Sequence, residues 1–338
     1  MNESRLKYLD IARGIGICLV VAGHSLVTPM RNADRIFQAL YDGIYFFHMS
    51  FFFFLSGYLT SATGKRQRST EHKVLFFRKT AMKLLIPYLF YSFLGYALLG
   101  AVSGKKIQQC LWEIITTENH LFHHLWFLYT MFMVSVLDLF IPEKYIGHII
   151  IATAVLHGGL SAVKELPLIC LYIVRYLFFY EAGHLYQIKR RFSGYIDVCI
   201  FIITELLYIL FFSDPAPLNG GLYFTERFMC STAICVGGIV GSRLILDFSV
   251  RIEQSTGMIT KLFEITGKNS MEIYLLHMPL LVPGLGTVMW KVGMNGGLIL
   301  ISCILAGICI PMFLAHYIHR SRFLSIFMFG RAESKEDT

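Results

Sequence analysis

Residues 9–27 read LDIARGIGICLVVAGHSLV. A helix that crosses a bilayer needs about 20 mainly apolar residues, because each residue rises 1.5 Å through a hydrocarbon core about 30 Å thick. This run has that length, and Asp10, Arg13 and His24 are its only acidic or basic residues. A cleavable signal peptide would have a shorter apolar region, about 7–15 residues, closed by a small-residue cleavage site. Here the run is longer and ends in Gly23-His24-Ser25, so it reads as a retained first span. Similar runs follow at 36–60, 84–102, 125–141, 145–161, 167–186, 195–212, 228–246, 270–292 and 296–318. The fourth and fifth are short and separated only by Pro142-Glu143-Lys144. The expected fold is all-α: a polytopic integral membrane helix bundle of about ten transmembrane helices. It forms one domain over 1–325, followed by a short polar tail, 326–338, that frays from Gly330.

Composition excludes the other classes. Of 338 residues 55% are hydrophobic and 15% charged, whereas a soluble domain carries about 25% charge. Disorder needs the opposite balance. The 28 glycines follow no triplet period, and seven of the 8 cysteines lie inside apolar runs, with Cys110 alone in a loop. A membrane β-barrel would show alternation rather than continuous apolar runs. The net charge of +8 invites a nucleic-acid reading, but its distribution points to topology. With the N-terminus placed in the cytoplasm, 21 of the 30 Lys and Arg fall on inner segments and 7 on outer ones. Both termini are therefore expected to be cytoplasmic, and no nucleic-acid partner is expected.

Ionisable groups at membrane depth are costly and mark sites. Arg13 and His24 are eleven residues apart, which is about 16 Å of helix and within roughly 20° of one face. Asp10 precedes Arg13 by three residues and can pair with it. By spacing alone, Arg13 snorkelling to lipid phosphate and His24 as an interfacial histidine remain open. His48 sits halfway along the second span, as a site residue or as a core histidine bonded to a backbone carbonyl. His277 lies near the middle of the ninth span, with Ser270 and Tyr274 in its helical neighbourhood. Arg175 and Glu205, mid-span in the sixth and seventh runs, are expected to form a buried ion pair. Glu181 and His184 are expected near the inner end of the sixth run, facing donor or headgroups. His120, His123 and His124 share an outer loop, but no carboxylate or cysteine completes a recognisable spacing, so no metal is expected. Gly237, Gly238 and Gly241 suit close helix packing. Trp112, Trp126 and Trp290 read as interfacial anchors, with Trp126 near the site. The inner segment 65–83 is the densest basic stretch, suited to anionic lipid and to phosphate groups alike.

These residues sit in motifs that resemble the membrane acyltransferase-3 family, in its fucose-acetylase-like branch. Leu9-Asp10-Ile11-Ala12-Arg13-Gly14 followed by His24 resembles the family's opening signature. Phe47-His48-Met49-Ser50-Phe51-Phe52-Phe53-Phe54-Leu55-Ser56-Gly57-Tyr58 is similar to its second-helix motif, with Ser50 where this branch often has Pro. Phe77-Arg78-Lys79 through Lys83 to Pro87-Tyr88 is similar to the basic entry to the third helix. Leu125-Trp126-Phe127-Leu128 is similar to its Trp-Phe-Leu element. Gly267-Lys268-Asn269-Ser270-Met271 to His277 is similar to its late helix.

The resemblance implies an integral enzyme of a bacterial inner membrane that moves an acetyl group from cytoplasmic acetyl-coenzyme A (acetyl-CoA) to an extracytoplasmic or lipid-linked glycan. A sugar hydroxyl attacking a thioester needs a base, and neutral histidine serves that role near pH 7. His24 is the expected base, with His48 second. Arg13, held by Asp10, would orient the donor or stabilise developing charge. Arg78, Lys79, Lys83, Ser270, Tyr274, His277 and Trp126 are the expected donor contacts. Acceptor identity and homo-oligomeric state stay open. A transporter is the alternative, but it would more often show internal repeats and broken helices in both halves. Only Pro279 and Pro283 interrupt a span.

Overall fold

The computed structural model describes residues 7–62, 70–103, 107–117, 122–163, 166–186, 194–211 and 221–331. All regular structure among them is helical. In order, it comprises α1 (Lys7–Ser25), α2 (Thr28–Ala33), α3 (Arg35–Ala62), α4 (Thr70–Thr80), α5 (Ile86–Ser103), α6 (Ile107–Thr116), α7 (Trp126–Asp138) and α8 (Ile146–Leu160). There follow α9 (Leu168–Leu185), α10 (Tyr195–Phe211), α11 (Gly221–Ile252), α12 (Met258–Lys268), α13 (Ser270–Leu276), α14 (Val282–Lys291), α15 (Gly296–Ile318) and α16 (Arg322–Phe329). Five rods, 35–62, 70–98, 168–185, 223–252 and 296–318, are long and apolar enough to cross a membrane. The outer faces are apolar: α10 buries none of its residues and exposes Ile196, Ile203, Leu206 and Leu210, and α15 exposes Leu298, Ile301, Leu305 and Phe313. A water-soluble surface does not carry apolar patches of that extent. The molecule is a polytopic membrane helix bundle.

Glycine sets the two closest helix crossings. A Cβ on Gly57 of α3 would strike the carbonyl of Tyr180 on α9, and one on Gly183 of α9 would strike that of Phe54 on α3. The same reciprocity joins α1 to α12, with Gly14 against the Phe263 backbone and Gly267 against the Asp10 backbone. Without a hydrophobic driving force between helices in lipid, such backbone approach supplies the packing. Gly237, Gly238 and Gly241 of α11 receive the rings of Phe46, Phe179 and Phe201, the close packing expected of them.

Four elements differ from the sequence reading. The basic segment before the third span is helical from Thr70 and runs through a π-turn, Ala81–Leu85, into α5. Pro87 explains the turn: it lacks an N–H and its ring crowds the carbonyl four residues back, that of Lys83. The fourth and fifth runs form a bent pair, with the axes of 123–138 and 143–160 at 111°. At 13 and 15 residues, α7 and α8 each fall short of a core about 30 Å thick. The ninth run is broken between α13 and α14, where Pro279 and Pro283 interrupt the backbone ladder. At the C-terminal end α16 crosses the expected start of the tail at 326. It is capped by Ser321, which accepts from Leu324 N–H, and closed by Gly330 in the left-handed region.

Candidate active site

A half-open cavity of about 870 Å³ is lined by α1, α3, α4, the π-turn, α7, α9, α12 and α13. Its basic lining consists of Arg13, His72, Lys79, Lys83, Lys268 and Arg331, and among the described residues no carboxylate lines it. Three of these cations are held by carboxylates outside the lining. Asp10 Oδ1 accepts from Arg13 Nη1 at 2.9 Å, as the sequence spacing anticipates; Glu264 meets Lys268 at 2.5 Å and Glu272 meets Arg331 at 2.6 Å. A carboxylate behind each cation fixes its direction without blocking the cavity.

The cavity wall continues toward a histidine cluster. On α1 the lining residues Arg13, Ile17 and Val20 are followed on the same face by His24, at steps of four, three and four. On α13 the lining residues Ser270 and Tyr274 are followed by His277 in the same way. The His24 and His277 rings are 5.2 Å apart between centroids, and His277 and His124 are 5.9 Å apart. Tyr45 joins the group: its hydroxyl is 3.1 Å from His24 Nδ1, and its ring meets that of His48 at 4.8 Å. The Tyr274 hydroxyl donates to the carbonyl of His124.

Hydrogen bonds assign the free ring atoms. His277 Nδ1–H donates to the carbonyls of Ile273 and Tyr274, both at 2.9 Å, and its Nε2 is buried with no partner. His48 Nδ1–H donates to the carbonyl of Ile44 at 2.7 Å, which leaves Nε2 as its acceptor. Both nitrogens of His124 are buried without a hydrogen-bond partner.

The other expected site residues are placed as follows. Lys79 and Lys83 line the cavity; Arg78, one position from Lys79, is exposed and outside the lining. Trp126 lies outside it too, packed against Tyr172 and Tyr176 at 4.4 and 5.1 Å. His120 lies outside the described residues, as do positions 65–69 of the basic segment. The Arg175–Glu205 ion pair does not form. Arg175 lies over the Tyr176 ring at 5.5 Å, while Glu205 reaches across to Gly43 of α3. The two charges sit on helices whose facing sides differ, which mid-span position alone does not reveal. Glu181 and His184 are buried and share a site with Asp138, the ligand atoms of the three lying within 4.8 Å of one another. These are metal-ligand types, but Asp138 and Glu181 come from different helices, so no sequence spacing marks them.

Sequence reasoning missed His124, Tyr45, His72, Lys268 and Arg331 as site members. A signal existed for two of them. Tyr45 precedes His48 by one helical step of three, and Lys268 sits in the same late motif as Ser270. His72 and Arg331 are brought in by the unexpected helicity of α4 and α16.

The comparisons with known proteins follow this geometry. The acyltransferase domain of the acyltransferase-3 family matches residues 6–317. Nodulation protein NolL of Mesorhizobium japonicum is 31% identical over 136 residues, 39% of this chain and 35% of that protein. Nodulation protein NolL of Sinorhizobium fredii is 42% identical over 84 residues, 24% of this chain and 22% of that protein. The chain therefore covers well under two thirds of either relative. No solved structure matches. The family match runs from the start of α1 nearly to the end of α15 and takes in the cavity walls on α1, α3, α4, α7 and α13 together with the histidine cluster: the chain belongs to the acyltransferase-3 family.

Proposed function

We propose that this membrane protein is an acyltransferase that takes an acetyl group from acetyl-CoA and places it on a hydroxyl of a cell-surface or lipid-linked glycan. The observation that carries the donor is the cavity: six basic side chains and no described carboxylate on its lining. Coenzyme A presents a pyrophosphate and a 3′-phosphate, and such a wall suits both. About 16 Å of α1 separates Arg13 from His24, a span that the extended phosphopantetheine arm can bridge. Phosphates held near Arg13 would deliver the thioester to the histidines.

The acceptor oxygen attacks the thioester carbonyl carbon, and His24 Nε2 takes the hydroxyl proton. For that, His24 Nδ1–H donates to the Tyr45 oxygen 3.1 Å away, which leaves Nε2 basic. The carbon–sulfur bond breaks, the electron pair leaves with sulfur, and the proton passes from His24 to the thiolate. The products are the acetyl ester and free coenzyme A. His277 and His48 keep Nε2 as acceptors by the same device, a backbone carbonyl on Nδ1–H.

The structure breaks helices in both halves, at α7/α8 and α13/α14, the feature expected of a transporter. Family membership supports acyl transfer over transport, and the breaks let irregular backbone line a cavity at membrane depth. The test is incubation of the purified protein with acetyl-labelled acetyl-CoA and cell-envelope glycan, followed by mass spectrometry of the glycan. Added acetyl that depends on the protein is expected. Binding of acetyl-CoA without transfer to any hydroxyl would overturn the reaction.

A further inference from the structure

We infer that Arg331, at the C-terminal end of the fold, is a phosphate contact of the donor site, held in place by the buried carboxylate of Glu272. The inference deepens the acetyl-CoA reading and rests on it. The sequence offers no hint, since Arg331 follows the last apolar run and belongs by composition to a polar tail. The fold places it otherwise. α16 turns back beside the bundle and buries Phe329 completely. Gly330 ends the helix with φ +66°, a conformation that glycine adopts without strain. It also lies so close to the π-turn that a Cβ there would be 2.6 Å from Lys83 Cα. The next residue, Arg331, is thereby delivered beside Lys83, and both line the cavity.

The direction of the guanidinium is then set from behind. Glu272 sits on α13 with its side chain 1% exposed, and its Oε1 accepts from Arg331 Nη1 at 2.6 Å. His319 Nε2 approaches the same oxygen at 3.3 Å, and Ser325 of α16 meets His319 Nδ1 at 2.9 Å. A buried carboxylate that accepts from two side chains is a fixed anchor. The Arg331 side chain remains 43% exposed, so the guanidinium keeps donors for a second anion. Glu272 is not among the lining residues, whereas Met271 and Tyr274 beside it are. A surface tether would not need its cation on the wall of a cavity that already collects Arg13, Lys79, Lys83 and Lys268.

The experiment is displacement of labelled acetyl-CoA from purified protein by unlabelled coenzyme A or by pantetheine, which lacks the phosphates. Arg331→Ala should weaken coenzyme A about tenfold, the equivalent of one charge-assisted hydrogen bond, and leave the pantetheine constant unchanged. Arg331→Lys should recover part of the loss. Because Arg331→Ala leaves a buried carboxylate short of its cation, the double variant Glu272→Gln/Arg331→Ala removes that charge and should show the same selective loss. Unchanged coenzyme A affinity in both variants, or equal loss for both ligands, would overturn the inference while leaving the donor reading intact. Failure of the wild type to bind acetyl-CoA at all would overturn the donor reading and this contact with it.

Discussion

His24 and Arg13 share one face of α1 but are too far apart to touch, so their substitutions should fail in different ways. A general base contributes about 10²–10⁴-fold in rate. His24→Ala should lose acetyl transfer by that factor and keep its affinity for acetyl-CoA. Arg13→Ala should weaken acetyl-CoA binding instead, and Asp10→Asn should do so more mildly, because Asp10 only aims the guanidinium at 2.9 Å. Transfer assays and equilibrium binding on the same membrane preparations separate the two. A well-inserted His24→Ala protein with near-normal transfer would move the base to His48, whose ring is in contact with Tyr45. Tyr45→Phe offers a finer probe. The phenol accepts no catalytic proton in this scheme and only orients His24, so its loss should lower transfer by less than His24→Ala does and leave donor binding alone.

At the scale of elements, α4 has one face toward the cavity and one away from it. His72, Leu75, Phe76, Lys79 and Thr80 of α4 line the cavity, as does Lys83 of the following π-turn, and Arg78 does not. Lys79→Gln with Lys83→Gln should weaken coenzyme A binding and flatten its salt dependence, while Arg78→Gln should leave both unchanged. Equal effects from the two sets would mean that total charge, not the face, governs binding. The existence of this element was hard to read from sequence because residues 70–83 mix Lys and Arg with Phe76 and Phe77, a composition that looks like an inner loop. It buries none of its residues, so no apolar stripe marks it as a helix, and it continues through the π-turn into α5. The α1 face, by contrast, was legible, since a period of 3.6 residues alone brings Asp10, Arg13 and His24 together with the right pairing. Sites assembled across helices were not. His124 and His277 are 153 residues apart in sequence and meet only in the fold, with ring centroids 5.9 Å apart, and whether Arg175 meets Glu205 depends on how α9 and α10 pack, which mid-span position does not give. The α1–α12 crossing carries a prediction of its own. Gly267→Ala would drive a Cβ into the Asp10 backbone, and overpacking of this kind costs about 1–3 kcal/mol. A lower thermal midpoint together with weaker donor binding is expected, because the same shift displaces Arg13.

Across the whole molecule the basic cavity and the histidine cluster follow one another along α1, with Arg13 toward its start and His24 toward its end. Acetyl-CoA is made and kept in the cytoplasm, so the Arg13 end must face that side if the donor reading is correct. The distribution of Lys and Arg, 21 of 30 on the segments that would then be inside, gives the same orientation from an independent source, the insertion bias of positive loops. Two exposed positions test it. Asp34, between α2 and α3, lies beyond the His24 end, and Ser255, between α11 and α12, lies near the start of α1, where Tyr8 N–H donates to the neighbouring Glu253. A cysteine placed at Asp34 should react with a membrane-impermeant maleimide in intact cells, above the background of the native cysteines. One placed at Ser255 should react only after lysis. A cytoplasmic reporter joined after Thr338 should be active, since α16 returns the chain to the Lys83 side of the cavity. The reverse labelling pattern would put the phosphate-suited cavity outside the cytoplasm, where no coenzyme A is available, and the donor would have to be sought among other anionic acyl carriers.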